Sequence, residues 1–285
     1  MMKVFFAKYH GIGNDFVMLA DPEDAFRLGP ALVKGLADRR FGIGGDGVIR
    51  VAPGRDGADL FMDYVNSDGS IGEMCGNGIR CLALFARAEG LTTSDEIKVA
   101  TRAGLKTVWI TEDDRVRVDM GPPIFAPSEV PVEWDGPHAL QAKIEVDGQM
   151  YEASCISVGN PHAILFVDDP SAAPVTTLGP RIENHRLFPN GTNVEFVRID
   201  APDRVTMRVW ERGSGETLAC GTGAVAVAVV GRLVGGMDAR STVVLPGGEL
   251  EVEWAGSLEQ EAPIFMTGPA VRSFDGVVDL DEVTN

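Results

Sequence analysis

Apolar and polar residues alternate with a period of two along much of the 285-residue chain. Val4-Phe5-Phe6-Ala7-Lys8, Asp15-Phe16-Val17-Met18-Leu19, Leu60-Phe61-Met62-Asp63-Tyr64-Val65 and Leu105-Lys106-Thr107-Val108-Trp109-Ile110 alternate or run apolar between turn residues, as strands do. Arg115-Val116-Arg117-Val118-Asp119 sets charge against valine, the pattern of a half-exposed antiparallel strand. Helical spacing is confined to Pro30–Arg40, Asn77–Glu89, a weaker stretch at Leu178–Leu187, and Thr222–Val234. Many strands and few helices predict an α+β protein rather than a doubly wound sheet. Prolines gather from Gly121-Pro122-Pro123 to Pro127 and Pro131, the best place for a domain boundary.

The pattern also repeats. Cys75-Gly76-Asn77-Gly78 opens one apolar helix and Cys220-Gly221-Thr222-Gly223 opens another, 145 residues later. An arginine follows each cysteine by twelve residues, Arg87 and Arg232, and a polar residue precedes each by nine, Asn66 and Glu211. Gly13-Asn14 and Gly159-Asn160 recur at nearly the same offset, each followed by Phe-Val. Several landmarks at one spacing predict two homologous halves.

Composition narrows the function. Forty-two acidic against 25 basic residues leave a net charge of −17, which argues against nucleic acid and against an anionic membrane surface. The first residues are apolar too briefly for a secretory leader, and no stretch is long enough to span a bilayer, so a cytoplasmic location is expected. Four cysteines are too few for a disulfide scaffold and are expected to be free thiols. No P-loop, pyridoxal-phosphate lysine motif or zinc-type Cys/His spacing occurs. Gly42-Ile43-Gly44-Gly45-Asp46-Gly47 has dinucleotide-site spacing, but a helix precedes it and a strand follows, the reverse of that site's order, so it reads as a tight loop.

Cys81 and Cys155 read as packing, one on an apolar helix face and one in a strand. Cys75 and Cys220 differ because bare glycine-rich backbone follows each where a helix begins. Helix N-termini present N–H groups to an anion and favour a nearby thiolate. Facing halves would hold one carboxylate between two such termini, with a thiol on each side of the neighbouring carbon. That arrangement inverts a stereocentre by a base on one face and an acid on the other. Two alternatives stay open from these residues alone: a Cys220/His162 thiol hydrolase, which leaves the second cysteine idle, and a non-catalytic amino-acid-binding protein.

The chain resembles the diaminopimelate epimerases over essentially its whole length. The resemblance is carried by Lys8 to Phe16, by Tyr64 to Ser70 running into Met74 to Arg80, and by Val158 to His162. Gly191 to Val194 adds to it, as does Trp210 to Thr217 running into Ala219 to Gly223. It implies two pseudo-symmetric halves, each a curled, mostly antiparallel sheet around a central helix. Residues 1–121 with about 266–285 would form the half carrying Cys75, and residues 122–265 the half carrying Cys220. It further implies a cofactor-independent interconversion of LL- and meso-2,6-diaminopimelate in lysine and peptidoglycan biosynthesis, by a homodimer. Cys75 and Cys220 would be the thiolate and thiol, and the amides of Gly76, Asn77, Gly221 and Thr222 would hold the reacting carboxylate. Asn14, Asn66, Asn160, Asn193 and Arg212 would read the distal end, with Glu211 and His162 near the reacting centre. Some members carry Gln in the glycine-rich loop, where this chain has Asp46-Gly47. Proline racemases and phenazine-pathway isomerases share the fold, but the former bind a ring and the latter lack the cysteine pair.

Overall fold

The alternating segments fold as strands and the four periodic segments as helices in a computed structural model that describes residues 3–283. Met1–Val118 with Thr267–Asn285 form one unit, and Asp119–Met266 the other. The chain enters the first unit as β1 (Lys3–Gly11), β2 (Asn14–Ala20), α1 (Pro30–Ala37), β3 (Gly47–Pro53), β4 (Leu60–Asn66) and α2 (Gly76–Ala88). It continues through β5 (Glu96–Thr101), β6 (Gly104–Ile110) and β7 (Val116–Gly121), which crosses the boundary. The second unit holds β8 (Ala142–Val146), β9 (Gln149–Ser157), β10 (Pro161–Phe166), α3 (Val175–Glu183), β11 (Asn193–Ala201) and β12 (Arg204–Glu211). Then come β13 (Gly215–Thr217), α4 (Gly221–Val234), β14 (Arg240–Leu245), β15 (Gly248–Glu253) and β16 (Ile264–Gly268), which crosses back over the boundary. β17 (Val271–Asp279) and α5 (Leu280–Val283) return to the first unit.

The first unit's strand order is β17-β1-β2-β3-β4-β5-β6-β7, antiparallel except at β2–β3 and β4–β5. The second unit's is β8-β9-β10-β11-β12-β14-β15, antiparallel except at β10–β11 and β12–β14. The second unit's six steps match the first six of the first unit in order and direction, and β7 is an added strand. Each parallel step needs a crossover, and each crossover is a helix: α1 and α2 in one unit, α3 and α4 in the other. The outer strand that β8 supplies locally is supplied in the first unit by β17, from the end of the chain.

Each sheet curls around one helix. α2 packs on β1, β2, β3 and β6, and α4 on β9, β10, β11, β12, β14 and β15. Val225, Val227, Val229 and Val230 of α4 are all fully buried. Valine is a mediocre helix former, but burying each contributes about 1.5–3 kcal/mol, which outweighs the propensity loss of under about 1 kcal/mol. α3 starts three residues earlier than its apolar spacing suggests. Pro174 caps it, Pro180 sits inside it and Asn184 ends it. α1 stops at Ala37 because Asp38 turns extended, and residues 38–46 then form the turn that enters β3. No helix among the described residues is long and apolar enough to cross a membrane.

Candidate active site

Both Cys-Gly-x-Gly turns make helix caps. Cys75 is extended (φ −138°, ψ 120°), and its Sγ accepts the Gly78 N–H at 3.4 Å at the start of α2. Cys220 is also extended (φ −121°, ψ 107°), and its Sγ accepts the Gly223 N–H at 3.3 Å at the start of α4. The next amides, those of Gly76 and Asn77 and of Gly221 and Thr222, have no carbonyl of their own helix within reach. The glycine three residues after each cysteine leaves room for a neighbouring side chain. A Cβ on Gly78 would lie 2.7 Å from Ile49 Cδ1, and one on Gly223 would lie 2.9 Å from Glu195 Oε1.

Around Cys75 the partners are amides and a cation. The thiol donates to Asn14 Oδ1 at 3.6 Å, which also accepts from Asn77 Nδ2 at 3.1 Å. Asn14 Nδ2 donates to Asp46 Oδ2 (2.7 Å), so Asp46 from the glycine-rich turn orients the amide. Arg39 clamps Asp46 (2.8 Å) and Asp15 (2.6 Å), and buried Lys8 meets Asp15 at 2.6 Å. Burial alone would raise the Asp15 carboxyl, but hydrogen bonds from Arg39 and Lys8 hold it at about 2. Arg80, fully buried in α2, donates to Asn77 Oδ1 (2.9 Å) and to the Gly76 carbonyl (3.1 Å). Burial brings its guanidinium down to about 10, which leaves it a cation at neutral pH, and it attracts a Cys75 thiolate. Asn66 ends β4, accepting from Tyr64 Oη at 2.5 Å and donating to Ser70 Oγ at 3.0 Å. Gly47 pairs with Asn66 across the ladder, and a Cβ there would lie 2.7 Å from the Tyr64 ring. The tyrosine therefore fills the space of a side chain at 47.

Around Cys220 the partners are acids. Glu211, at the end of β12, acts electrostatically on the thiol and accepts from Thr217 Oγ1. Burial pushes Glu211 above the usual carboxylate range. Burial, then the carboxylates of Glu211 and Glu195, push the Cys220 thiol well above the usual range. His162 is fully buried on β10, with Nδ1 2.6 Å from Glu195 Oε1 and Nε2 3.0 Å from Asn160 Oδ1. Asn193 spends its side chain on backbone, donating to the Pro161 carbonyl (2.8 Å) and accepting the Arg212 N–H (2.9 Å). Arg212 itself is exposed and donates to the Asn190 carbonyl at 3.1 Å.

Of the first unit's candidates, Asn14, Gly76 and Asn77 meet Cys75 or adjoin it, and Asn66 stands at the end of β4. In the second unit, Glu211, Gly221 and Thr222 adjoin or act on Cys220, Asn160 and His162 are joined to each other, and Asn193 and Arg212 form a separate pair. Burial pushes the Cys81 and Cys155 thiols up to about 12, fitting their reading as packing. Sequence reasoning gave no role to Lys8, Asp15, Asp46, Arg80 or Glu195. A visible signal existed for two of them, because Arg80 and Glu195 are lone charges inside apolar runs. No group of three or more His, Cys, Asp or Glu that could hold a metal ion occurs among the described residues.

Among solved structures, a PhzF-family phenazine biosynthesis protein of Bacillus anthracis matches with a TM-score of 0.71 at 17% identity, covering 98% of this chain and 100% of that one. A hydroxyproline epimerase of Agrobacterium vitis, solved with bound trans-4-hydroxy-L-proline, matches at 0.71 and 17%, covering 98% and 93%. These share the fold. The sequence model of diaminopimelate epimerase matches residues 6–126 and 154–273, two stretches that each contain one Cys-Gly-x-Gly turn. The diaminopimelate epimerase of Synechococcus elongatus is 46% identical over 282 residues, covering 98% of this chain and 99% of its own. That of Moorella thermoacetica is 47% identical over 281 residues, covering 97% and 99%. The duplicated fold and these relatives define an isomerase of the epimerase class. Within that class, the chain belongs to the diaminopimelate epimerase family.

Proposed function

We propose that the family's reaction, the interconversion of LL- and meso-2,6-diaminopimelate, is carried here by Cys75 and Cys220 as a two-base pair acting on one α-carbon. The observation that carries this reading is the opposite charge around two otherwise equivalent thiols. Cys75 has the Arg80 cation and neutral Asn14, whereas Cys220 has the carboxylates of Glu211 and Glu195. A cation favours thiolate and carboxylates favour thiol, so Cys75 rests as the base and Cys220 as the acid. Turnover in the opposite direction needs the Cys220 proton removed, and Glu211 at that thiol is the acceptor.

The chemical difficulty is the α-proton, which is a poor acid beside a carboxylate. The helix-start amides of Gly76, Asn77, Gly221 and Thr222 supply donors and two helix dipoles where negative charge develops. One such donor is worth about 2.7–4 kcal/mol of barrier in comparable sites. Asn14, Asn66, Asn160 and Arg212 bind the remaining polar groups of the substrate. Asn193 acts through the backbone it fixes beneath Arg212. A homodimer working in the cytoplasm on the way to lysine is the setting that the family implies.

A Cys220/His162 hydrolase is disfavoured, because both ring nitrogens of His162 are engaged by Glu195 and Asn160 rather than by the thiol. The test is proton NMR in deuterated water with LL-diaminopimelate, L-proline and trans-4-hydroxy-L-proline in parallel. Loss of the α-proton together with interconversion for diaminopimelate alone is the expected result. Racemisation of the ring substrates, or no exchange with diaminopimelate, would contradict the reading.

A further inference from the structure

The two units repeat the same ladder, so each residue of one half-site has a counterpart in the other. Phe16 pairs with Gly47 in the β2–β3 ladder as His162 pairs with Asn193 in the β10–β11 ladder. Two residues along, Met18 opposes Ile49 and Ile164 opposes Glu195. The helix glycines agree: Ile49 lies against Gly78, and Glu195 against Gly223. The counterpart of the His162–Glu195 pair is therefore Phe16–Ile49, and all four side chains are fully buried.

Burying a polar pair where an equivalent apolar pair packs well is unfavourable or neutral for stability, so the fold does not need these polar groups. They stand only behind Cys220. Glu195 faces His162 on β10, Cys155 on β9, Glu211 on β12 and Cys220 on α4. One carboxylate oxygen takes the His162 Nδ1–H, and Oε2 is buried with no hydrogen-bond partner among the described residues. Asn160 Oδ1 meets the other ring nitrogen, so the imidazole is held at both ends.

We infer that Glu195 is a positioning residue of the epimerisation: it fixes His162 beside Glu211 and supplies the negative charge that makes the Cys220 half-site the acid one. The inference rests on the two-base reading above. A carboxylate that fixes the orientation of an imidazole acts in the same manner behind other acid–base centres.

The experiment compares the wild type, Glu195→Gln, and the double variant His162→Phe with Glu195→Ile, which copies the Phe16–Ile49 pair. Turnover of LL-diaminopimelate is measured beside the thermal midpoint. Iodoacetamide labelling of Cys220 and Cys75 without substrate is followed by peptide mass spectrometry. Glu195→Gln lowers kcat by at least about tenfold while KM stays within about twofold. It also speeds Cys220 labelling by at least about threefold with Cys75 unchanged, because only the thiolate is alkylated. The double variant folds with an undiminished midpoint and does not turn over. Wild-type kcat in Glu195→Gln, an unchanged Cys220-to-Cys75 labelling ratio, or turnover by the double variant overturns the inference. A wild type inactive on diaminopimelate would instead sink the two-base reading, since the labelling ratio needs no substrate.

Discussion

At the scale of single residues, two thiols with the same local geometry are set apart by their neighbours. The glycine turns that cap α2 and α4 are interchangeable in description, but Arg80 stands beside one cysteine and Glu211 beside the other. Glu211→Gln keeps the shape and removes the proton acceptor, so kcat falls by about a hundredfold with little change in thermal midpoint. Steady-state kinetics beside a melting curve checks this. Asp15 gives a pH signature. Its carboxyl sits at about 2 in the folded protein against about 3.9 unfolded, so its contribution to stability is complete above pH 4 and disappears as pH falls toward 2. Asp15→Asn therefore flattens the decline of the thermal midpoint between about pH 4 and 2 relative to the wild type. The motif residues were legible in the sequence because cysteine, glycine and asparagine stand at recurring offsets. Asp46 and Asp15 were not, since an acidic residue in a loop or at the start of a strand looks like solvated charge until Arg39 and Lys8 fold over it.

At the scale of elements, period-two alternation located the strands because each sheet has a buried face against its central helix. Helix ends were less legible. α3 was displaced by three residues because prolines at 174 and 180 override its apolar spacing, and α1 ended early at an extended Asp38. The ion cluster on β3 and β4 was also hidden. Arg50 is 1% exposed and binds Asp21 (2.7 Å), Asp24 (2.8 Å) and Asp63 (2.9 Å), so a charge inside an apolar strand is matched by three acids from two other segments. Arg50→Ala leaves buried Asp21 with no cation and Asp63 with Arg102 alone, and costs about 3–5 kcal/mol, read by urea unfolding. Arg50→Met, which fills the volume without charge, recovers little of this while Asp21 and Asp63 stay in place.

At the scale of the whole molecule, one topology is used twice with diverged interiors. Phe16, Ile49, Arg80 and Asn66 in the first unit stand where the second has His162, Glu195, Val225 and Glu211. The repeat of landmarks revealed the duplication. It could not reveal which counterpart carries charge into the interior, because that depends on which face of a strand meets the helix. The net charge of −17 limits the partners without steering the substrate, since diaminopimelate balances two carboxylates with two ammonium groups. What remains is whether both halves act on one carbon. Epimerisation of LL-diaminopimelate by Cys75→Ala and Cys220→Ala, each followed by NMR in deuterated water beside a circular-dichroism check of folding, tests this most directly. Both folded variants should lose interconversion by at least about a thousandfold. If either one, properly folded, still interconverts the isomers at near wild-type rate, the two-base account is wrong.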